Sequence, residues 1–232
     1  MLPLICVFNL AFGQLSDSEL EKMPVDLETD LARSALPAHL QADASVYLLD
    51  PKKGFYLAHK GSNGFVCFVN RTDWERADFR KDLASPISYD AEGARVLFPV
   101  FVDVANMRAT GKFTARQLKD TIEARFKKGF YKTPKPGMSY MLAPLMRNYD
   151  DANRVVTMSI PHFMFYAPYL TPADIGCSMK SGSVGPIVLG DGSPHSYAIL
   201  FAGEKEKAKI VEDHKLLLKR LAEYKPYFEI GR

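Results

Sequence analysis

The chain has 232 residues, 47% of them hydrophobic and 25% charged, with a formal net charge of +3. That composition is globular and excludes a disordered tail or a coiled coil, and +3 is too small to require a polyanionic partner by itself. A chain of this length buries a full core without disulfides or metals to hold it together.

Residues 1–13 read as a secretory signal. Leu2–Phe12 is an apolar run interrupted by Pro3 and Asn9, and Ala11-Phe12-Gly13 puts small residues ahead of a cleavage before Gln14. The run is short and no Lys or Arg precedes it. The expectation is an exported protein, periplasmic or secreted. No other apolar run approaches the roughly 18 residues of a membrane helix, so no span remains after removal. Of the three cysteines, Cys6 leaves with the signal; Cys67 and Cys177 remain as one disulfide or as two separate thiols.

Residues 14–45 form an acidic arm. Asp26 is the expected cap of a short helix carrying Leu27, Leu31 and Leu36, limited by Pro37. A single domain is expected over 46–232. Val46–Leu49, Phe55–His59 and Gly64–Asn70 are strand candidates linked by Gly/Asn turns, and they predict an antiparallel meander. Trp74–Ala91 reads as polar and irregular. Pro99 opens a helix that Gly111 ends. A second helix starts at Thr114, where Thr114 and Gln117 have capping-box spacing, and closes at Gly129. Ser139–Leu142, Arg154–Ile160, Phe163–Tyr166, Ile187–Leu189 and Ser196–Phe201 are further strands, with a brief helical turn at Thr171-Pro172. A C-terminal helix covers about Lys205–Tyr224. Strands in runs with helices set apart predict α+β: a mainly antiparallel sheet with a helical hairpin and a C-terminal helix packed on it.

Charge is unevenly placed. Residues 108–136 carry nine Lys/Arg against Asp120 and Glu123, a net of +7, and residues 16–50 carry eight acids against Lys22 and Arg33, a net of −6. The expectation is that the two segments lie near each other. The basic hairpin, 100–136, is also a candidate interaction surface.

The standard catalytic motifs are absent, and Gly182-Ser183-Val184-Gly185 fails the spacing of a nucleophile elbow. The candidates are His162 and His195, each after a proline at a strand edge, and Glu92 in Asp90-Ala91-Glu92-Gly93. Two imidazoles and a carboxylate make a facial site for a divalent metal ion, which would activate a water; without metal they serve as acid and base. Tyr166, Phe163, Phe165 and Asp90 are the expected ligand-binding residues of an aromatic pocket. Cys67 beside a histidine is a weaker nucleophile candidate, because it lies in an apolar strand. Asn70-Arg71-Thr72 is a glycosylation sequon.

The stretches G-S-N-G-F at 61–65, D-A-E-G at 90–93, P-H-x-M-F-Y-A-P-Y-L at 161–170 and P-H at 194–195 resemble stretches of exported bacterial proteins with no assigned activity. That resemblance implies an envelope protein and carries no mechanism. Three readings follow from the residues. The first is an exported protein that binds a small molecule. The second is an exported metal-dependent or acid/base hydrolase using His162, His195 and Glu92. The third is an interaction module using the basic hairpin, with nucleic acid disfavoured as its partner.

Overall fold

The computed structural model describes residues 19–177, 185–190 and 192–232. The expected signal, Cys6 and Gly182–Val184 lie outside the described residues.

The fold is α+β. An eight-stranded, mainly antiparallel sheet carries helices on both faces. In chain order the elements begin with helices α1 (Val25–Arg33) and α2 (Ala38–Gln41) and strands β1 (Ser45–Asp50), β2 (Gly54–His59), β3 (Val66–Asn70) and β4 (Ser85–Tyr89). Helices α3 (Ala91–Val96), α4 (Phe98–Ala109) and α5 (Ala115–Lys127) follow. Next come β5 (Met138–Met141), β6 (Met146–Tyr149), β7 (Val155–Met158), β8 (His162–Tyr166), β9 (Ile187–Leu189) and β10 (Tyr197–Phe201). Helices α6 (Glu204–Asp213) and α7 (Lys215–Tyr224) follow, and a short 3-10 turn at Pro226–Phe228 comes after them. The strand order is β2-β1-β3-β4-β5-β8-β10-β9, with β6 and β7 as a separate pair.

The first strands correct the expected meander. β1 and β2 form an antiparallel hairpin, but β3 runs parallel to β1 on its other side, pairing Ser45 with Val66 and Val46 with Cys67. Where that short parallel pairing ends, the buried Glu28 of α1 takes over and accepts the Leu49 N–H at 2.9 Å. β4 lies inside the stretch read as irregular. All five of its residues are buried, and Pro86 disguised it. β5 pairs only Ser88 and Tyr89, so Pro86 lies past its end, where a missing N–H is tolerated.

Side-chain alternation separates the two faces. Cys67 and Val69 of β3 point to one face, where α1 and α7 pack with Leu27, Leu31, Leu217 and Leu221. Val66 and Phe68 point to the other, under Phe98 and Phe101 of α4. The Phe68 ring is fully buried among Phe55, Tyr89, Phe98 and Phe101. Leu20 and Leu49 of the acidic segment pack against Ala105 of α4, but acids of the arm find partners other than the basic hairpin. They meet α7: Arg220 holds Asp26 and Asp30, both at 2.6 Å, and Lys225 holds Glu21 at 2.6 Å. Asp26 is therefore an ion-pair partner in the first turn of α1, and Pro24 occupies the N-cap position without a side-chain cap.

The capping box of α5 forms as expected, with Thr114 accepting the Gln117 N–H and Gln117 accepting the Thr114 N–H. Gly111 and Gly129 end α4 and α5 at φ of 64° and 65°, backbone that glycine adopts without a Cβ clash. The expected C-terminal helix is broken at His214 into α6 and α7. A buried polar knot fastens the chain end. Arg147 pairs with Asp82 at 2.8 Å and donates to the carbonyls of Tyr227 and Arg232.

Candidate functional site

The β8–β10 ladder sets the geometry of the histidine candidates. His162 pairs with Phe201 and Tyr166 pairs with Tyr197, so His195 lies beyond the opposite end of the ladder from His162. Four residues of extended strand already separate those ends by roughly 13 Å. Ligands of one zinc-like ion lie within about 4 Å of each other, so a single-ion site cannot use both histidines. Among the described residues no group of three or more His, Cys, Asp or Glu side chains converges on a common point that could hold a metal.

Each candidate has a local partner. His162 is buried, and its Nδ1 lies 2.7 Å from the Ile160 carbonyl oxygen. Burial pulls its pKa below the ordinary imidazole value, against the opposing effect of that carbonyl. His195 places Nε2 3.0 Å from the Lys132 carbonyl oxygen and packs edge-on to Phe126. Its pKa is likewise lowered by burial. Glu92 pairs with Arg95 at 2.8 Å and accepts the Lys135 N–H at 2.8 Å, and that hydrogen bond leads the effects holding its carboxyl below the usual range. Glu92 and His195 thus touch the same 131–137 loop at different residues, while His162 sits far from it.

Asp90 lies between the end of β4 and the start of α3. It is the N-cap of α3 and accepts the N–H groups of Gly93 and Met138, both at 2.8 Å. The Tyr166 hydroxyl donates to the Met138 carbonyl at 2.8 Å. Gly93 and Gly137 let these groups close up, since a Cβ on either would strike Tyr166. The junction is packed solid. Phe163 and Phe165 alternate with Tyr166 along β8 and point to the other face, so the expected aromatic pocket does not form from these residues. A recess lined by Pro86, Met141, Ala143, Leu145, Met146 and Ile160 holds about 10 Å³, room for about one water against the roughly 300 Å³ of a small-molecule site.

Cys67 is fully buried and its thiol is pushed up to about 12 by burial, which disqualifies it as a nucleophile near neutral pH. Both Cys67 and Cys177 are free thiols. Within the sequon Asn70 is half-buried and Arg71 and Thr72 are buried.

A different surface gathers unusual features. At and beyond the C-terminus of α5, Lys127, Lys128 and Lys132 are exposed, and none forms an ion pair among the described residues. Between them Phe130 is 60% exposed, its ring stacked under the Arg125 guanidinium. His195 joins this loop, through Lys132, to the loop preceding β10. That loop in turn holds Tyr169, whose N–H donates to the Ser193 carbonyl at 2.8 Å. Phe130 and Tyr169 thus lie on two loops that both border the 193–195 loop, and the three make up one rim of the sheet.

Tyr169 is strained. Leu170 N–H closes a turn onto Ala167 C=O at 3.0 Å, with Pro168 second and Tyr169 third at φ 67°. That is the position where a type II turn takes glycine. The tyrosine ring is nevertheless 61% exposed and fills no core. One local signal marks this rim, the run Lys127-Lys128-Gly129-Phe130, in which an aromatic follows a helix-ending glycine. Nothing local to Ala-Pro-Tyr-Leu marks the left-handed backbone at Tyr169.

No family model matches the chain, and neither a curated protein nor a solved structure does so, which leaves the rim to be read from its own chemistry.

Proposed function

We propose that this protein is an interaction module, exported from the cytoplasm, that binds an anionic partner through the rim at the end of the α4–α5 hairpin. One observation carries this reading. Lys127, Lys128 and Lys132 are exposed and in no ion pair among the described residues, although acids on the same hairpin neutralise other bases. Arg116 pairs with Asp120, Lys119 with Glu123 and Arg125 with Asp103. Three like charges left together repel one another weakly, and an anionic partner relieves that repulsion. Phe130 among them supplies an apolar contact that a purely solvated basic face does not need.

Retention on immobilised heparin, a generic polyanion, tests the reading. The chain is expected to bind at low salt and to elute as salt screens the lysines. Lys127→Gln/Lys128→Gln/Lys132→Gln should elute markedly earlier with an unchanged fold by circular dichroism. Passage of the unmodified chain without retention contradicts the reading.

A further inference from the structure

We infer that the rim docks on an anionic membrane surface, with Lys127, Lys128 and Lys132 facing lipid phosphates and Phe130 and Tyr169 entering the headgroup layer. The inference rests on the reading of the rim as the working surface and names its partner. Three observations favour a bilayer over a nucleic acid or an acidic protein. The first is the kind of cation. Lys is a point charge on a long apolar stem that reaches a phosphate layer from many angles. Arg125, the arginine that could grip a phosphate through two parallel bonds, is committed to Asp103 at 2.5 Å.

The second observation is the apolar content of the rim. Phe130 and Tyr169 are 60% and 61% exposed, and the 167–177 loop also carries the exposed Ile175. Aromatic rings favour the water–lipid boundary, where an apolar body and a polar tip are both satisfied. An aliphatic side chain such as Ile175 has no π-face on which a base could stack, but it suits an acyl boundary.

The third observation is the backbone at Tyr169. A bulky residue at φ 67° costs stability at a position glycine would occupy freely. The side chain makes no return to the core for that cost, because it projects into solvent. Strained backbone of this kind clusters at functional sites, and of the three left-handed residues other than glycine Tyr169 alone carries a large exposed apolar ring. Replacing Tyr169 by glycine should therefore improve the fold and impair the function, which separates the two roles in one variant.

The test is sedimentation of the full chain with vesicles of phosphatidylcholine alone or mixed with phosphatidylglycerol. All variants share residues 1–13, so differences among them report the rim. The chain should partition onto the phosphatidylglycerol vesicles and much less onto phosphatidylcholine. Each lysine is worth about fivefold at such a surface, so the triple glutamine variant should bind about a hundredfold more weakly. Phe130→Ser and Tyr169→Gly should each weaken binding roughly tenfold, while Tyr169→Gly raises the thermal midpoint. Phosphatidylglycerol binding that both aromatic variants leave unchanged overturns the insertion. Retention on heparin without partition onto either vesicle overturns the lipid partner and leaves the rim as an anion-binding surface. Loss of both kinds of binding removes the inference and the reading beneath it.

Discussion

The two halves of the sheet are built differently. Strands β1, β3 and β4 are covered on both faces, by α1 and α7 on one and by α3 and α4 on the other, and the edge strand β2 buries only Gly54 and part of Phe55. Beyond Tyr140 the cover on the α1–α7 face runs out, leaving Phe165 and Leu200 40% and 45% exposed on β8 and β10. The strained Tyr169 follows β8 in this second half. The buried core thus lies mostly under β1, β3 and β4, while β8 and β10 leave apolar side chains in solvent.

The largest expected effect tests the first half. Phe68→Ala should cost about 3–5 kcal/mol in urea unfolding, because the ring is fully buried against four aromatic neighbours. Phe165→Ala in the second half should cost under about 1 kcal/mol, because its ring is already half in water. Equal losses would erase the distinction between the halves.

Glu28 gives the first half a pH dependence. Burial pushes its carboxyl up to about 7, only partly opposed by the Leu49 N–H. Between its ordinary value of 4.5 and about 7 the folded chain keeps a proton that the unfolded chain has released. Stability is therefore highest below that window and falls as pH rises through it, by about 3 kcal/mol in all. Urea midpoints across this range should show the fall, and Glu28→Gln should flatten it. An unchanged slope in the variant would assign the pH dependence to another group.

Smaller effects sharpen the second half. Tyr169→Gly should stabilise the fold by about 1 kcal/mol, measured by thermal unfolding, since it removes left-handed strain at a turn position made for glycine. A loss of stability would mean that the ring packs usefully and would weaken the case for an outward role. Thr114→Ala should cost about 1 kcal/mol through the capping box of α5, without moving the rim.

Much of the first half was legible in the sequence. The α4–α5 hairpin could be placed from Pro99, Gly111, Thr114 and Gly129, because proline, glycine and capping residues act on their own backbone. β4 was hidden because Pro86 and two serines mask a strand whose burial comes from its neighbours. The parallel β1–β3 pairing was hidden for a related reason: a Gly/Asn turn shows that the chain reverses, but not which side of β1 the next strand takes. The histidine site failed on register. Pro-His at two strand edges is visible in one dimension, but only the antiparallel pairing of β8 with β10 puts those edges at opposite ends. The rim itself is assembled from three distant loops, and a turn that holds Tyr169 at φ 67° leaves no mark in composition or period.

If the rim binds by its location, a surface of equal charge elsewhere on the molecule should not substitute for it. Lys52, Lys53 and Lys60 flank the edge strand β2, beside the exposed Tyr56 and Leu57. They match the rim in lysine number and apolar company but carry no strained side chain. The decisive measurement is the salt concentration for elution from heparin of Lys127→Gln/Lys128→Gln/Lys132→Gln against Lys52→Gln/Lys53→Gln/Lys60→Gln. The rim variant should elute at clearly lower salt, while the β2 variant stays close to the unmodified chain. Equal shifts in the two variants would mean that net charge alone governs binding and would contradict the assignment of the rim.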